Sequence, residues 1–286
     1  GDATVSNSGD ITISSGIEQE YGFNYAVGIN ASTGKYGGSA IVSNSGDITI
    51  TNSADGDAFG IRASSSGKYA EGSTVVNNSG DIMVSSPYQA AGIWATSTND
   101  ASIYNSGNIT VASEEGRARG LYAIADDGVG TIINSGDLSV VGGIGVVGAG
   151  AAGSYGATTI NSGDISVTST RYEVLTDYYG VDYYAGGWAY GAFASTRFLG
   201  VAAVINSGDI DVNGITRGTG LSANSRFGST YIANEGDLTV NGELESAYGI
   251  NTSGNGREEF LYSETAGYTT VINLGDIAVT SQAFAV

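Results

Sequence analysis

Along the whole chain, apolar residues alternate with small polar ones in runs of four or five, as in ATVSN, ITIS, AIVSN and DISV. Alternation of period two over so few residues predicts short, half-buried β-strands, because successive strand side chains point to opposite faces. The runs are cut by one recurring break. NSGDI stands intact at Asn7–Ile11, Asn44–Ile48, Asn78–Ile82, Asn161–Ile165 and Asn206–Ile210, and in altered form from Asn105, Asn134, Asn234 and Asn273. Successive Asn positions lie 37, 34, 27, 29, 27, 45, 28 and 39 residues apart, so the minimal unit is 27 residues and longer units carry loop insertions.

Each unit reads as three pieces. One strand runs into the break and one leaves it. A third has the form A-x-G-I-x-A, as in AVGINA, AFGIRA, AAGIWA and AYGINT. Parity places Ile48, Ile82, Ile109, Leu138, Ile165 and Ile210 on an inner face after the break, with Val42, Val76, Ile103, Ile132 and Val204 before it. In the third piece the inner column reads Ile29, Ile61, Ile93, Leu121, Ile144, Leu221 and Ile250. Three strands per turn, each stacking on its equivalent one repeat later, describe an all-β fold: a right-handed parallel β-helix, or three-sheet β-solenoid, of about nine rungs. At about 4.8 Å per rung the rod is about 40 Å long. The whole chain, 1–286, reads as a single solenoid domain. The Asn and Gly of the break predict a tight corner in left-handed backbone, with stacked Asn side chains hydrogen-bonded in a ladder.

N-S-G-D-I-x-V, a variable loop, A-x-G-I-x-A and then G-G-x-A-x-V-x-N together resemble the passenger β-helix of bacterial autotransporters, the type V secreted surface proteins and adhesins. The resemblance covers essentially the whole chain. It implies export across a Gram-negative envelope and a place outside the cell or on its surface. The array reads as an excerpt of a longer one, or as a subunit whose unfinished end rungs stack end to end into a filament.

Composition narrows the chemistry. Glycine occurs 46 times and proline once, which suits strands and turns rather than helices. A formal net charge of −19 with only ten Lys and Arg argues against nucleic acid as a partner. With no Cys and no His, disulfides, thiolate nucleophiles, Cys/His zinc sites and Ser-His-Asp triads are all excluded. No membrane span is visible in the sequence.

Three columns carry candidate function. Asp10, Asp47, Asp81, Asp137, Asp164, Asp209, Asp237 and Asp276 follow the corner glycine, with Asn108 in the same place. Stacked carboxylates repel, so the ladder either holds Ca²⁺ or accepts backbone N–H bonds at each corner; no cofactor is required. An outward column after the third strand's Ile or Leu reads Asn30, Arg62, Trp94, Tyr122, Gly145, Phe193, Ser222 and Asn251. Close by in sequence, an insertion contributes Tyr178, Tyr179, Tyr183, Tyr184 and Trp188 beside Glu173, Asp177 and Asp182. Such rings stack on sugars, anchor a protein partner, or pack among themselves over the sheet. Third, Tyr104, Ile133, Ile160, Ile205 and Ile272 point outward just before the corner, an apolar stripe that demands a cover. The insertion bearing Phe260, Leu261, Tyr262 and Tyr268 is one candidate cover and lateral association of rods the other.

These features favour a non-enzymatic surface or filament protein acting in adhesion or self-association, with itself or a surface glycan or protein as partner. A carbohydrate-binding module on the same scaffold is the alternative. A polysaccharide lyase or hydrolase is disfavoured, because the uniform Asp column singles out no catalytic pair. Function is sought where the repeat breaks, in the insertions Ser14–Tyr25, Thr168–Trp188 and Ser253–Tyr268.

Overall fold

The computed structural model of the chain describes residues 1–16, 24–34, 37–53, 56–67, 72–176, 182–254 and 267–281. Three parallel sheets run along it, two of nine strands and one of eight. The first collects the strands that enter the corner, from Ala3–Asn7 to Thr269–Asn273. The second collects those that leave it, from Ile11–Ser15 to Ile277–Ser281, and the third runs from Asn24–Thr33 to Ser246–Gly254. This is the parallel β-solenoid expected from the repeat. Among the described residues no helix is long and apolar enough to cross a membrane.

Rungs pair in strict register: Ile103 faces Ile132, Val111 faces Val140, and Leu121 faces Ile93. Each inner position therefore stacks on its own kind, and the core is one continuous column in which Ile48, Ile61, Ile93, Ile103, Leu121, Ile132 and Val204 are fully buried. Hydrophobic burial thus comes from stacking rungs rather than from any single rung. In the first sheet's inner column Thr159 replaces an aliphatic residue, and its buried hydroxyl donates to the Phe193 carbonyl at 2.7 Å.

The third strand bends at its glycine. Ala58 and Ile61 are both buried in the core, so alternation slips by one at Gly60, and the ladder pairs Phe59 with Ala91 and Ile61 with Ile93. A Cβ on Gly60 would fall 2.5 Å from Ile82 Cγ2. The same glycine sets the register that the letters misread in the fifth rung. There Leu121 pairs with Ala149, not with Ile144, which precedes the strand Gly145–Gly153. V-G-G-I imitates the A-x-G-I template, but Gly148 is the residue packed beneath Gly191 O and against Ile165 Cγ2. The outward column accordingly contains Gly150, not Gly145, between Tyr122 and Phe193.

The corner Asn residues form the expected ladder, buried from Asn44 to Asn234, half-buried at Asn7 and exposed at Asn273. Asn134 Nδ2 donates to Gly136 O at 2.6 Å and to Asn161 Oδ1 at 2.8 Å, while Asn134 Oδ1 accepts from Asn105 Nδ2 at 2.8 Å. The same pair of bonds recurs from Asn7 to Asn234. The expectation of left-handed backbone at these corners is corrected. Among the described residues, positive φ occurs at Gly37, Gly38, Gly186, Gly187 and Gly200, and at no N-S-G glycine. What excludes a side chain is the preceding rung: a Cβ on Gly136 would fall 2.1 Å from the Gly107 carbonyl oxygen.

The insertion of the sixth rung is an antiparallel hairpin, Glu173–Thr176 paired with Asp182–Ala185. The Ser14–Tyr25 and Ser253–Tyr268 insertions lie largely outside the described residues.

Candidate functional site

The Asp column is a chain of rung-to-rung hydrogen bonds. Asp47 Oδ1 accepts the Asp81 N–H at 2.9 Å, Asp81 Oδ1 the Asn108 N–H at 2.8 Å, and Asp164 Oδ1 the Asp209 N–H at 2.9 Å. Asp10, Asp137, Asp209 and Asp237 do the same for Asp47, Asp164, Asp237 and Asp276. The carboxylates are exposed, and each from Asp10 to Asp237 accepts from the following corner. Among the described residues no group of three or more acidic side chains is disposed to hold a metal ion. Asn108 fills the same role without charge, its Oδ1 accepting the Asp137 N–H at 3.0 Å.

Asp164→Asn therefore keeps the bond and removes repulsion from Asp137 and Asp209. It is expected to raise the unfolding free energy by up to about 1 kcal/mol at low ionic strength, the gain fading as salt is added. Asp164→Ala loses the acceptor and costs about 1 kcal/mol. Urea unfolding in low and high salt checks both. A large rise in melting temperature on adding Ca²⁺ to EDTA-treated protein would instead assign the ladder to a cation.

On the outward face of the third sheet Phe59, Trp94, Tyr122, Phe193 and Tyr190 form one connected row. Ring centroids are 5.8 Å apart for Phe59 and Trp94, 5.3 Å for Trp94 and Tyr122, 6.1 Å for Tyr122 and Phe193, and 6.2 Å for Phe193 and Tyr190. Phe193 reaches Tyr122 across the intervening rung because Gly150 is there: a Cβ on it would fall 2.3 Å from Phe193 Cε1. The rings meet edge-on or tilted, as their quadrupoles favour. Arg119 lies between Trp94 and Tyr122, its guanidinium carbon 4.7 and 4.9 Å from their centroids, and it donates to Gln89 Oε1 at 3.2 Å.

Burial pushes the Arg119 guanidinium below its usual value, a shift that Tyr122 opposes. Burial likewise raises Asp57 above the usual carboxylate range, against the Gln89 backbone hydrogen bond and the charges of Arg62 and Arg119. Trp94, Tyr122 and Phe193 are half-buried in this row, with Trp94 and Tyr122 also against Arg119.

Trp188 stands at the end of this row, 5.6 Å from Tyr190, beside a notch of about 390 Å³ lined by Gly186, Thr216, Arg217 and Glu245 as well. Tyr178 and Tyr179 lie outside the described residues, as does Asp177. Tyr183 and Tyr184 are placed only as strand residues of the hairpin. Arg119, Arg217 and Glu245 were missed by sequence reasoning. Their signal is register: Arg119 shares a column with Phe59 and Tyr190, and Arg217 pairs with Trp188.

The first sheet presents a different surface. None of its nine strands contains Asp, Glu, Lys or Arg. Tyr104, Ile133, Ile205 and Ile272 are 38–45% exposed, and Val129 and Val201 are exposed at the other edge of the same strands. Of the candidate cover, Phe260, Leu261 and Tyr262 lie outside the described residues and Tyr268 is 78% exposed.

No family model matches this sequence, and comparison with curated proteins and with solved structures returns no match. The resemblance to autotransporter passengers rests on the residues of the repeat alone.

Proposed function

We propose that this chain is a non-enzymatic structural rod, displayed at or released from a bacterial surface, that acts in adhesion or self-association through its first sheet. One observation carries the reading: a chain of formal charge −19 keeps all nine strands of one face free of charge. Elsewhere the acidic residues keep like rods apart. The strands of this face add no charge to that repulsion, and Ile133, Ile160, Ile205, Val129 and Val201 offer apolar area to a second copy.

A face five residues wide and nine rungs long covers roughly 700 Å², taking about 3.3 Å per residue and about 4.8 Å per rung. Two such faces bury about 1,400 Å², within the range of stable protein interfaces. The surface location and autotransporter-type export follow from the resemblance of the repeat. A non-enzymatic role is supported by the uniform Asp column, in which Oδ1 of each member from Asp10 to Asp237 accepts an N–H of the following corner.

Sedimentation velocity over a concentration series, with electron microscopy of the same samples, tests the proposal. Concentration-dependent pairing that strengthens with salt is expected. The double variant Ile133→Asp with Ile205→Asp, folded by circular dichroism, is expected to stay monomeric. A single monomeric species at every concentration, or association unchanged in the double variant, overturns the assignment to this face.

A further inference from the structure

We propose that the notch between Trp188 and the Arg217–Glu245 pair is a subsite for one neutral pyranose unit of a glycan. The proposal does not depend on self-association, which uses another sheet.

The residues that shape the notch are held by the rungs on either side. The indole of Trp188 overlies Gly145 of the preceding rung, where a Cβ would fall 2.5 Å from Cζ2 and 2.8 Å from Cε2. Any other residue at 145 displaces the ring, so glycine at that position clears the bed on which the indole lies. Tyr190, two residues further along the same outward face, meets it edge-on at an interplanar angle of 69° and fixes its tilt. The corner below is equally fixed. Gly186 and Gly187 have φ of 78° and 72°, backbone that favours glycine, and the buried Thr216 donates through Oγ1 to Gly186 O at 2.6 Å and through N to Gly187 O at 2.9 Å.

Opposite the indole, Arg217 Nη2 and Glu245 Oε2 are 3.8 Å apart, and the two side chains are 47% and 38% exposed. A pair this long and this wet is weakly bound to itself. Its guanidinium donors and carboxylate acceptors are free to take up hydroxyl groups. An indole beside a donor–acceptor pair is the chemistry that recognises a sugar: the ring's C–H face lies on the aromatic face, and vicinal hydroxyls bridge to the charged pair.

The other ligand classes fit less well. A uronate or other anionic sugar meets Glu245 and a chain of net charge −19. A purely apolar ligand leaves the charged rim without partners. At about 390 Å³ the notch is near the small end of ligand pockets, which suits one ring with the rest of the glycan extending into solvent.

The test is a titration of the folded chain with cellohexaose, chitohexaose and mannohexaose, with hexagalacturonate as the anionic comparison, followed by calorimetry and by indole fluorescence. Trp94 and Trp188 are the two tryptophans, so Trp94→Phe leaves Trp188 as the sole reporter. Saturable binding of at least one neutral oligosaccharide is expected, with a change in Trp188 emission. Trp188→Ala and Arg217→Ala are each expected to weaken it by about tenfold or more. The same affinity is expected in the Ile133→Asp, Ile205→Asp monomer. Absence of binding to all three neutral sugars, binding that survives Trp188→Ala, or preference for hexagalacturonate would each overturn the proposal. None of these outcomes bears on sedimentation, so the two proposals fail separately.

Discussion

Asn134→Ala is expected to lower the unfolding free energy by about 3–5 kcal/mol, among the largest costs of any polar substitution in the chain. Asn134 is 1% exposed, and its side chain gives two hydrogen bonds and receives one. Truncation leaves the Gly136 carbonyl, Asn161 Oδ1 and Asn105 Nδ2 each short of a partner. Each deprived group costs about 1–3 kcal/mol when water cannot reach it. The neighbours also polarise one another along the ladder, so the loss extends beyond one rung. Asn134→Asp is worse, because it buries a charge where a donor is required. Asn7→Ala is the control: Asn7 bonds to Asn44 and Gly9 but is partly exposed, and its removal is expected to cost about 1 kcal/mol. Urea midpoints followed by far-ultraviolet circular dichroism separate the two.

Gly136→Ala is expected to be at least as damaging, by more than about 3 kcal/mol, and Gly9→Ala to be harmless. The new Cβ at 136 would lie 2.1 Å from Gly107 O, 2.6 Å from Gly107 C and 3.0 Å from Ser106 O. All of these are backbone atoms, so nothing flexible yields. The rungs must part, and the bond from Ser135 N to Asn105 O at 2.9 Å is lost with them. At Gly9 a Cβ meets nothing within 4 Å. There the substitution acts mainly on the unfolded chain and is expected to stabilise by about 0.4–1 kcal/mol. If the corners required left-handed backbone, both alanines would cost alike. Thermal and urea unfolding of the pair therefore separates steric stacking from backbone conformation as the reason for glycine.

The architecture was legible because its causes are periodic. Ile48, Ile82 and Ile109 recur at one parity, and parity alone assigns a side chain to the core. The buried Asn ladder and the exposed Ile133 and Ile205 follow from the same count. What parity does not contain is register where the template's letters drift. V-G-G-I placed Ile144 where Ala149 belongs, and Gly145 where Gly150 belongs, because the anchor is Gly148 stacked between Gly120 and Gly191 rather than any aliphatic residue.

The Asp partners were out of reach for a related reason. A carboxylate three residues after Asn bonds to its own corner or to the next one with equal ease on paper, and only the rung spacing decides. The candidate site was less legible still. Arg119 looks like a scattered base in the sequence, yet it is clamped between Trp94 and Tyr122, which come from strands linked in register across two rungs. The notch at Trp188 joins residues of three successive rungs with the glycine that lets the ring lie down. No single unit of the repeat contains it.

The recurring NSGDI is a device for handing hydrogen bonds from one rung to the next, and hydrogen exchange of the Asn side-chain amides, followed by NMR, tests this most directly. The Nδ2 protons of Asn78, Asn105, Asn134, Asn161 and Asn206 are expected to exchange only as the solenoid unfolds, because each is bonded to the next Asn and to a carbonyl two residues on. The Nδ2 protons of Asn77, on the exposed side of the same strand as Asn78, are expected to exchange at once. Equal, rapid exchange at all of these positions would contradict the ladder and with it the stacking account of the repeat.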